Sequence, residues 1–258
     1  MTSLLRTDQL SKAFGGVQAL DGCTVEVEQG TVAGLIGPNG SGKTTLFNAI
    51  TGYERVDRGE VYLDGRRITN ARPELVFKLG VGRTFQLTRI FSRLTVLENM
   101  LVAAQRHGGI VRNLLAGSGG ADDHRRAREL LDFVGIAGLA GDLAGTLSYG
   151  QRKLLELAYV LVADPEVMLL DEPAGGVNPS LINHIAGRIR ELNAEGKTFL
   201  IVEHNMDFVM NLCDRVTVMD SGNVIASGPP EIIRTDPRVL DAYLGGALEE
   251  DEDDVPAQ

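Results

Sequence analysis

The residues with the clearest chemical potential are eight consecutive positions, 37–44, which match the pattern G-x-x-x-x-G-K-[ST]. Glycines there let backbone N–H groups turn inward around phosphate oxygens, and the helix expected to follow adds partial positive charge at its N-terminus. We expect Lys43 to reach the β- and γ-phosphates of a nucleotide and the Thr44 hydroxyl to ligate Mg²⁺. The predicted contacts of this loop are Gly37, Pro38, Asn39, Gly40, Ser41, Gly42, Lys43, Thr44 and Thr45.

A second group of candidate residues follows two apolar segments. Asp171 and Glu172 come directly after residues 167–170, which read Val-Met-Leu-Leu. An acid at the C-terminal end of a buried strand points into the crevice where α/β proteins bind ligands. We therefore expect Asp171 to hold Mg²⁺, directly or through water, and Glu172 to polarise the water that attacks the phosphate. His204 follows the apolar residues 198–202 in the same way and could sense a γ-phosphate through a hydrogen bond.

The loop indicates a nucleotide without specifying its base. The sequence contains no Asn-Lys-x-Asp segment, which disfavours a GTPase. Phe14 stands just before Gly15 and Gly16 and could stack on adenine, although packing in a core is the alternative for an aromatic residue at this position.

The elements that position these residues alternate between strand and helix. Apolar strands are predicted at 31–36, 167–170, 198–202 and 215–219, and helices at 42–51, 96–105, 124–134, 152–162, 181–193 and 206–212. A hairpin is predicted over 59–68, with its turn at Asp64-Gly65. This order predicts an α/β fold: a P-loop NTPase core with a mainly parallel sheet, an antiparallel β subdomain and an inserted α-helical subdomain.

The domain prediction places one nucleotide-binding domain over residues 1–248, with its helical subdomain at about 87–150 and a glycine-rich loop at 108–120. Residues 249–258 begin with six consecutive acids and are predicted to form a disordered tail, which is either solubilising or a docking or regulatory element.

Composition argues against some classes of function. The formal net charge is −10, whereas nucleic-acid binders usually carry a basic face. Cys23 and Cys213 are far apart and are expected to be reduced thiols of a cytosolic protein. No stretch reaches the ~20 apolar residues that span a bilayer, and no secretory signal is visible, so a membrane role would require docking on another chain.

Residues 147–151 read Leu-Ser-Tyr-Gly-Gln and open a predicted helix about twenty residues before Asp171. After the phosphate loop and before the apolar strand, this segment resembles the signature LSGGQ of the ATP-binding cassette (ABC) family. The resemblance implies that Ser148, Gly150 and Gln151 contact the nucleotide of a second subunit, so that the active site forms across a dimer. Tyr149 replaces the usual first glycine, which could alter packing beside the ribose.

The other family elements follow in order. The resemblance makes Gln86 the glutamine of the Q-loop, with roles in metal binding and catalysis, and residues 174–179 the D-loop, where Asn178 replaces a frequent Asp. It makes His204 the switch histidine and Phe14 the adenine-stacking aromatic. The predicted catalytic residues are therefore Glu172, His204, Gln86 and Lys43, and the predicted metal ligands are Thr44, Gln86 and Asp171.

The chain also shows a narrower resemblance to the bacterial ATPases for uptake of branched-chain amino acids, amides or urea. The segments that carry it are residues 14–20, 83–86, 95–99 and 236–245. It implies an importer subunit that binds ATP and Mg²⁺ and forms a homodimer or heterodimer. It also implies integral membrane permeases as partners, indirectly a periplasmic or extracellular solute-binding protein, no nucleic acid, and a peripheral position at the cytoplasmic face of the membrane. Candidate permease contacts are Leu87, Phe91 and Leu94, with core packing as the alternative.

Two other readings stay open at this point. One is the ATPase of an exporter or a lipid-extraction system built on a similar cassette. The other is a non-transport ABC ATPase of DNA repair or the ribosome, which the acidic balance disfavours, as does the absence of long coiled coils or tandem cassettes in the sequence.

Overall fold

The computed structural model describes residues 3–84, 90–107 and 120–249. Within these ranges, residues 105–107 and 244–249 are described by their backbone alone. Gln86 and Leu87, most of the glycine-rich loop and nearly all of the acidic tail lie outside the described residues. The chain divides into two compact units, which are described separately. Unit 1 comprises Met1–Leu79 and Thr198–Gln258, and unit 2 comprises Gly80–Lys197.

The strands of the described chain, in sequence order, are β1 Ser3–Phe14, β2 Val17–Glu28, β3 Val32–Ile36, β4 Arg58–Leu63, β5 Arg66–Arg67, β6 Val81–Arg83, β7 Val167–Asp171, β8 Thr198–Val202, β9 Arg215–Asp220 and β10 Asn223–Gly228. The helices are α1 Lys43–Ile50, α2 Pro73–Lys78, α3 Val96–His107, α4 Ala121–Phe133, α5 Tyr149–Leu161, α6 Pro179–Ala194, α7 Met206–Leu212, α8 Pro230–Ile233 and α9 Pro237–Glu249. Two short 3₁₀ turns, Ala137–Leu139 and Ala144–Thr146, precede α5.

Unit 1 contains an antiparallel sheet in the order β2-β1-β4-β5. The β1–β2 hairpin reverses at Gly15 and Gly16, whose φ values of 52° and 101° suit glycine. The β4–β5 hairpin reverses at Asp64 and Gly65, with φ values of 47° and 69°, so the predicted turn is confirmed.

The other strands of unit 1 follow the order β10-β9-β3-β8, in which β9, β3 and β8 are parallel and β10 is antiparallel to β9. All five residues of β3 and of β8 are buried, as expected for parallel strands covered on both faces. Leu35 pairs with Val202, so the segments after β3 and β8 leave the sheet at the same edge.

Unit 2 pairs β6 with β7 in parallel and packs α3, α4 and α5 against one another. The apolar residues of α5 and α6 face its interior, where Leu155, Ile189 and Met100 are almost fully buried. None of the helices in the described ranges has the length and apolar character needed to span a bilayer.

The predicted fold class is confirmed, because a parallel β-sheet, an antiparallel β-sheet and a set of helices occur in the predicted order. Helix α4 begins at Ala121, three residues before the predicted start, with Gly120 as its N-cap. Three helices, α2, α8 and α9, were not predicted; each has proline at its first position, which fixes φ for a helix start. The bounds of the helical subdomain, 87 and 150, stay a prediction.

Candidate active site

The loop between β3 and α1 encloses the amine of Lys43. Its Nζ donates to the carbonyl oxygens of Gly37 at 2.9 Å and Pro38 at 2.7 Å, and to Oγ of Ser41 at 3.2 Å. Lys43 is only 6% exposed. The loop therefore fixes a buried positive charge within a concave turn of backbone, which is the arrangement required for a phosphate chain.

Glycine is required at two positions of this loop. Gly37 has φ 150°, and a Cβ there would lie 2.1 Å from the Met219 carbonyl oxygen. Gly42, the N-cap of α1, has φ 100°, and a Cβ there would lie 2.4 Å from the carbonyl oxygen of Ala19. Both backbones can approach their neighbours so closely only without a side chain. Thr44 and Thr45 follow in the first turn of α1, and the side chain of Thr44 is exposed.

Phe14 lies at the end of β1, paired with Val17 at the start of β2. Its ring is 46% exposed, with the Lys12 amine 4.9 Å from the ring centroid. Ala19 of β2, five residues after Phe14, has its carbonyl oxygen beside Gly42 of the loop. The exposure of the Phe14 ring favours the predicted stacking role over core packing.

His204 follows β8 and is exposed, at the same edge of the sheet as the phosphate loop. The carboxylate of Glu203 accepts the backbone N–H groups of His204 at 2.9 Å and Asn205 at 3.1 Å. Asn205 then caps α7 by accepting the N–H of Phe208 at 3.0 Å. The buried Glu203 thus fixes the backbone that carries His204.

Asp171 ends β7 in unit 2 and is 4% exposed. Arg83 at the end of β6 approaches its carboxylate at 3.3 Å, and Thr84 accepts the Asp171 N–H at 3.0 Å. Burial raises the pKa of Asp171, which the Arg83 guanidinium opposes. A carboxylate held in such a place is stabilised by a cation, and its oxygen donors fit Mg²⁺.

Glu172 is half-buried and has a left-handed backbone, with φ 49°. Its carbonyl oxygen accepts two hydrogen bonds, from Nζ of Lys153 at 2.9 Å and from the Gly175 N–H at 3.1 Å. A non-glycine residue in this conformation is strained and is held there by its surroundings. This backbone conformation, held by the two hydrogen bonds, sets the direction in which the Glu172 side chain departs just after β7.

Ser148 forms the N-cap of α5 in a complete capping box with Gln151. The Gln151 N–H donates to the Ser148 Oγ at 3.3 Å, and the Ser148 N–H donates to the Gln151 Oε1 at 2.8 Å. A Cβ on Gly150 would lie 2.3 Å from Cδ2 of Leu181. The signature segment is thus the ordered, exposed tip of a helix, packed closely against α6.

Asn178 begins α6 by accepting the Leu181 N–H at 2.9 Å. With Ser148, Tyr149 and Gly150 it lines an open groove in unit 2. The replacement of a family Asp by Asn178 therefore preserves the N-cap, because both side chains offer the oxygen that a cap requires.

Within unit 1 the phosphate loop and His204 follow strands that end at the same edge of the sheet. Within unit 2 Lys153 of the signature helix bonds the carbonyl of Glu172, which follows Asp171. Gln86 lies outside the described residues, as does Leu87. Of the two described candidates for permease contact, Phe91 is 42% exposed and Leu94 is half-buried. Sequence reasoning missed the positioning residues Arg83, Lys153 and Glu203.

No cluster of three or more His, Cys, Asp and Glu side chains suited to a metal occurs in the part of the chain that is described. The two described candidate Mg²⁺ ligands are Thr44 and Asp171, one in each unit. Both provide oxygen donors, and Mg²⁺ is usually held by one or two such groups together with phosphates and water. Each residue, taken by itself, therefore has the donor chemistry of a magnesium ligand.

The sequence model of the ABC transporter family matches residues 20–175, which is more than half of the chain, and the chain belongs to that family. As a member of this family it is an ATPase that binds a nucleotide. A second model, described as branched-chain amino acid ATP-binding cassette transporter, matches residues 223–249.

Named relatives are similar over nearly their whole length. The probable branched-chain amino acid transport ATP-binding protein LivG of Archaeoglobus fulgidus is 40% identical over 94% of this chain and 95% of its own. The high-affinity branched-chain amino acid transport ATP-binding protein BraF of Pseudomonas aeruginosa is 39% identical over 95% of this chain and 98% of its own.

The fold is similar to that of solved ABC cassettes. The crystal structure of the ADP conformation of one such cassette is 38% identical, with a TM-score of 0.86 over 95% of this chain and 100% of that one. A nucleotide-free cassette is 37% identical, with a TM-score of 0.85 over 94% and 99% of the two chains.

Proposed function

We propose that the chain is the ATP-hydrolysing subunit of an ABC importer for branched-chain amino acids. The observation that carries the solute class is the match of residues 223–249 to the branched-chain cassette, together with relatives that are named for branched-chain amino acid transport. This match favours an importer over the exporter, lipid-extraction and non-transport readings.

In the proposed reaction Lys43 and the N–H groups of residues 37–44 bind the β- and γ-phosphates, and Phe14 stacks on adenine. Thr44 and Asp171 would hold Mg²⁺, and the resemblance adds Gln86. When bound, the ion neutralises charge that develops on the phosphate oxygens. Glu172 orients and deprotonates the attacking water, and positioning of this kind contributes most of the catalysis in phosphoryl transfer.

His204 is proposed to bond the γ-phosphate, since it leaves the sheet at the same edge as the phosphate loop. Its backbone is held by the Glu203 carboxylate within the same chain. Loss of the γ-phosphate would remove the partner of the imidazole and release the closed state.

The working unit is proposed to be a dimer, a homodimer or a heterodimer with a second cassette. The exposed tip of α5, with Ser148, Gly150 and Gln151, binds the γ-phosphate held by the other subunit. A helix N-terminus suits this role because its N–H groups and dipole favour an anion. Closure of the dimer on ATP would move the permeases, and hydrolysis would reopen it.

The partners are proposed to be integral membrane permeases, which place the chain peripherally at the cytoplasmic face of the membrane. Phe91 and Leu94 are candidate contacts for a permease helix, and a solute-binding protein acts through the permeases. The exposed ring of Phe91 supports this role.

Transport by the reconstituted complex tests the solute class. The chain is purified with its co-purifying permeases, placed in proteoliposomes, and supplied with ATP and the cognate binding protein. We expect ATP-dependent uptake of labelled leucine, isoleucine and valine but not of lysine. Uptake of another solute class alone, or ATP-driven export, would contradict the proposal.

Glu172→Gln tests the catalytic role. The amide cannot accept the proton of the attacking water, so we expect turnover to fall by about 10²-fold or more while ATP binding is retained. Size-exclusion chromatography with ATP should show a stable dimer. Glu166→Gln is the matched control, because Glu166 is an exposed acid just before β7. Turnover at the normal rate in Glu172→Gln would assign water activation to another residue.

A further inference from the structure

The side chain of Lys153 lies inside unit 2 between the signature helix and the catalytic glutamate. It belongs to the second turn of α5, five residues after Ser148, and is only 7% exposed. Its Nζ donates to the Glu172 carbonyl at 2.9 Å. The same Nζ lies 5.7 Å from the centroid of the Tyr149 ring, within the range of a cation–π contact.

The hydrogen bond from Lys153 acts on the strained peptide of the active site. Glu172 has φ 49°, a conformation that few non-glycine residues adopt, and its carbonyl is fixed by Lys153 and by the Gly175 N–H. Without the lysine, one of these two restraints on the Glu172 carbonyl is lost. The peptide could then rotate towards an unstrained conformation and turn the carboxylate away from the water.

Tyr149 connects the same lysine to the following loop. A Cβ on Gly176, whose φ is 70°, would lie 3.1 Å from Cε1 of the tyrosine ring, so the ring packs directly on this glycine. The ring, the ammonium and the Glu172 carbonyl therefore form a continuous set of contacts from the signature segment to the end of β7. A glycine at position 149 would supply neither the ring contact nor the cation–π contact.

We propose that Lys153 is a positioning residue that holds Glu172 for water activation, and that Tyr149 and Lys153 link the signature segment to the catalytic glutamate of the same subunit. The inference rests on the proposed function. In the proposed dimer the signature segment binds the partner's nucleotide, while Glu172 acts on the nucleotide of its own subunit. The link therefore transmits nucleotide occupancy from one site to the other.

Three variants of the full-length protein test the positioning role: Lys153→Met, Lys153→Arg and the control Lys197→Met. Methionine fills the buried space but cannot donate, whereas arginine restores a donor. Lys197 is a second poorly exposed lysine of unit 2, paired with Asp164 at 2.7 Å. We expect Lys153→Met to lower kcat by about tenfold or more, with the ATP dissociation constant changed by less than about twofold. Lys153→Arg should recover much of kcat, and Lys197→Met should resemble the wild type.

Tyr149→Leu and Tyr149→Phe test the link between sites. The readout is the Hill coefficient of ATP hydrolysis, measured beside nucleotide affinity. We expect Tyr149→Leu to lower the coefficient towards one, because the leucine side chain cannot hold the ammonium. Tyr149→Phe keeps the ring and should preserve the cooperativity that the wild type shows.

The outcomes separate this inference from the proposed function. If the wild type hydrolyses ATP and Lys153→Met retains its kcat, the positioning role is wrong while the proposed function stands. The positioning role would also be wrong if Lys153→Arg did not restore kcat and if Lys153→Met lowered ATP affinity and melting temperature together with kcat. A wild type that binds ATP without hydrolysing it would overturn the proposed function itself.

Discussion

Lys43 is almost fully buried, and its amine has three neutral acceptors. A buried ammonium is tolerated when its protons are hydrogen-bonded. The loop carbonyls meet this need in the structure, and phosphate oxygens attract the ammonium more strongly because they carry negative charge. The residue therefore gives the loop affinity for a triphosphate.

Lys43→Met should weaken ATP binding by about 10- to 100-fold, equivalent to a lost charged hydrogen bond of about 1.5–3 kcal/mol. Titration with a fluorescent ATP analogue measures the dissociation constant. Lys78→Met is the control, because Lys78 is an exposed lysine at the end of α2 in the same unit. Equal affinities in the two variants would contradict the role given to Lys43.

At the scale of the element, the N-terminus of α5 has two tasks that depend on one side chain. Ser148 caps the helix in the structure, and in the proposed dimer it also binds a phosphate of the partner. The first task requires an oxygen acceptor, whereas the second requires a group that does not repel an anion. Substitutions can separate the two requirements.

Ser148→Ala should lose the cap, lowering the free energy of unfolding by about 1 kcal/mol, and should also weaken the ATP-dependent dimer. Ser148→Asp keeps the acceptor and should retain the stability, yet its charge opposes the phosphate and should abolish the dimer. Urea unfolding and size-exclusion chromatography with ATP measure the two effects. An ATP-dependent dimer of normal affinity in Ser148→Asp would exclude phosphate contact at this residue.

At the scale of the whole molecule, folding buries both thiols. Cys23 donates to the Gly222 carbonyl at 2.8 Å, and neither cysteine forms a disulfide. Burial raises the pKa of Cys23 from 9.0 to about 11 and that of Cys213 from 9.0 to about 12. The native state therefore keeps protons that the unfolded chain loses above pH 9.

This difference makes stability fall as the pH rises. Below pH 9 both states are protonated and the thiols contribute no pH dependence. Between pH 9 and about 11, each thiol should lower the free energy of unfolding by up to about 1.4 kcal/mol per pH unit. Urea unfolding at several pH values measures the free energy of unfolding of the wild type and of the double variant Cys23→Ala/Cys213→Ala. Above pH 9 this free energy should fall less steeply with pH in the double variant. Parallel pH profiles would show that burial does not perturb these thiols.

Local sequence patterns were sufficient to predict the structure wherever a short motif determines its own backbone conformation. The Asp64-Gly65 turn and the glycines of residues 37–44 adopt positive φ for reasons that act over a few residues, so their structure was predictable. Buried strands such as β3 and β8 were equally predictable, because a short unbroken run of apolar residues is typical of a parallel strand that is covered on both faces. Helix α9 was missed because its apolar residues stand beside glycines and an acidic tail, which weakens a helical pattern.

The sequence by itself determined the chemistry of this protein: a phosphate loop, an acidic strand end and a capped signature segment, in the order that an ABC ATPase requires. Only the tertiary structure decided which residues position that chemistry. Arg83 reaches Asp171 across 88 positions of the chain, and Lys153 reaches the Glu172 carbonyl across 19. Such contacts leave no local pattern, because they depend on packing that brings distant segments together.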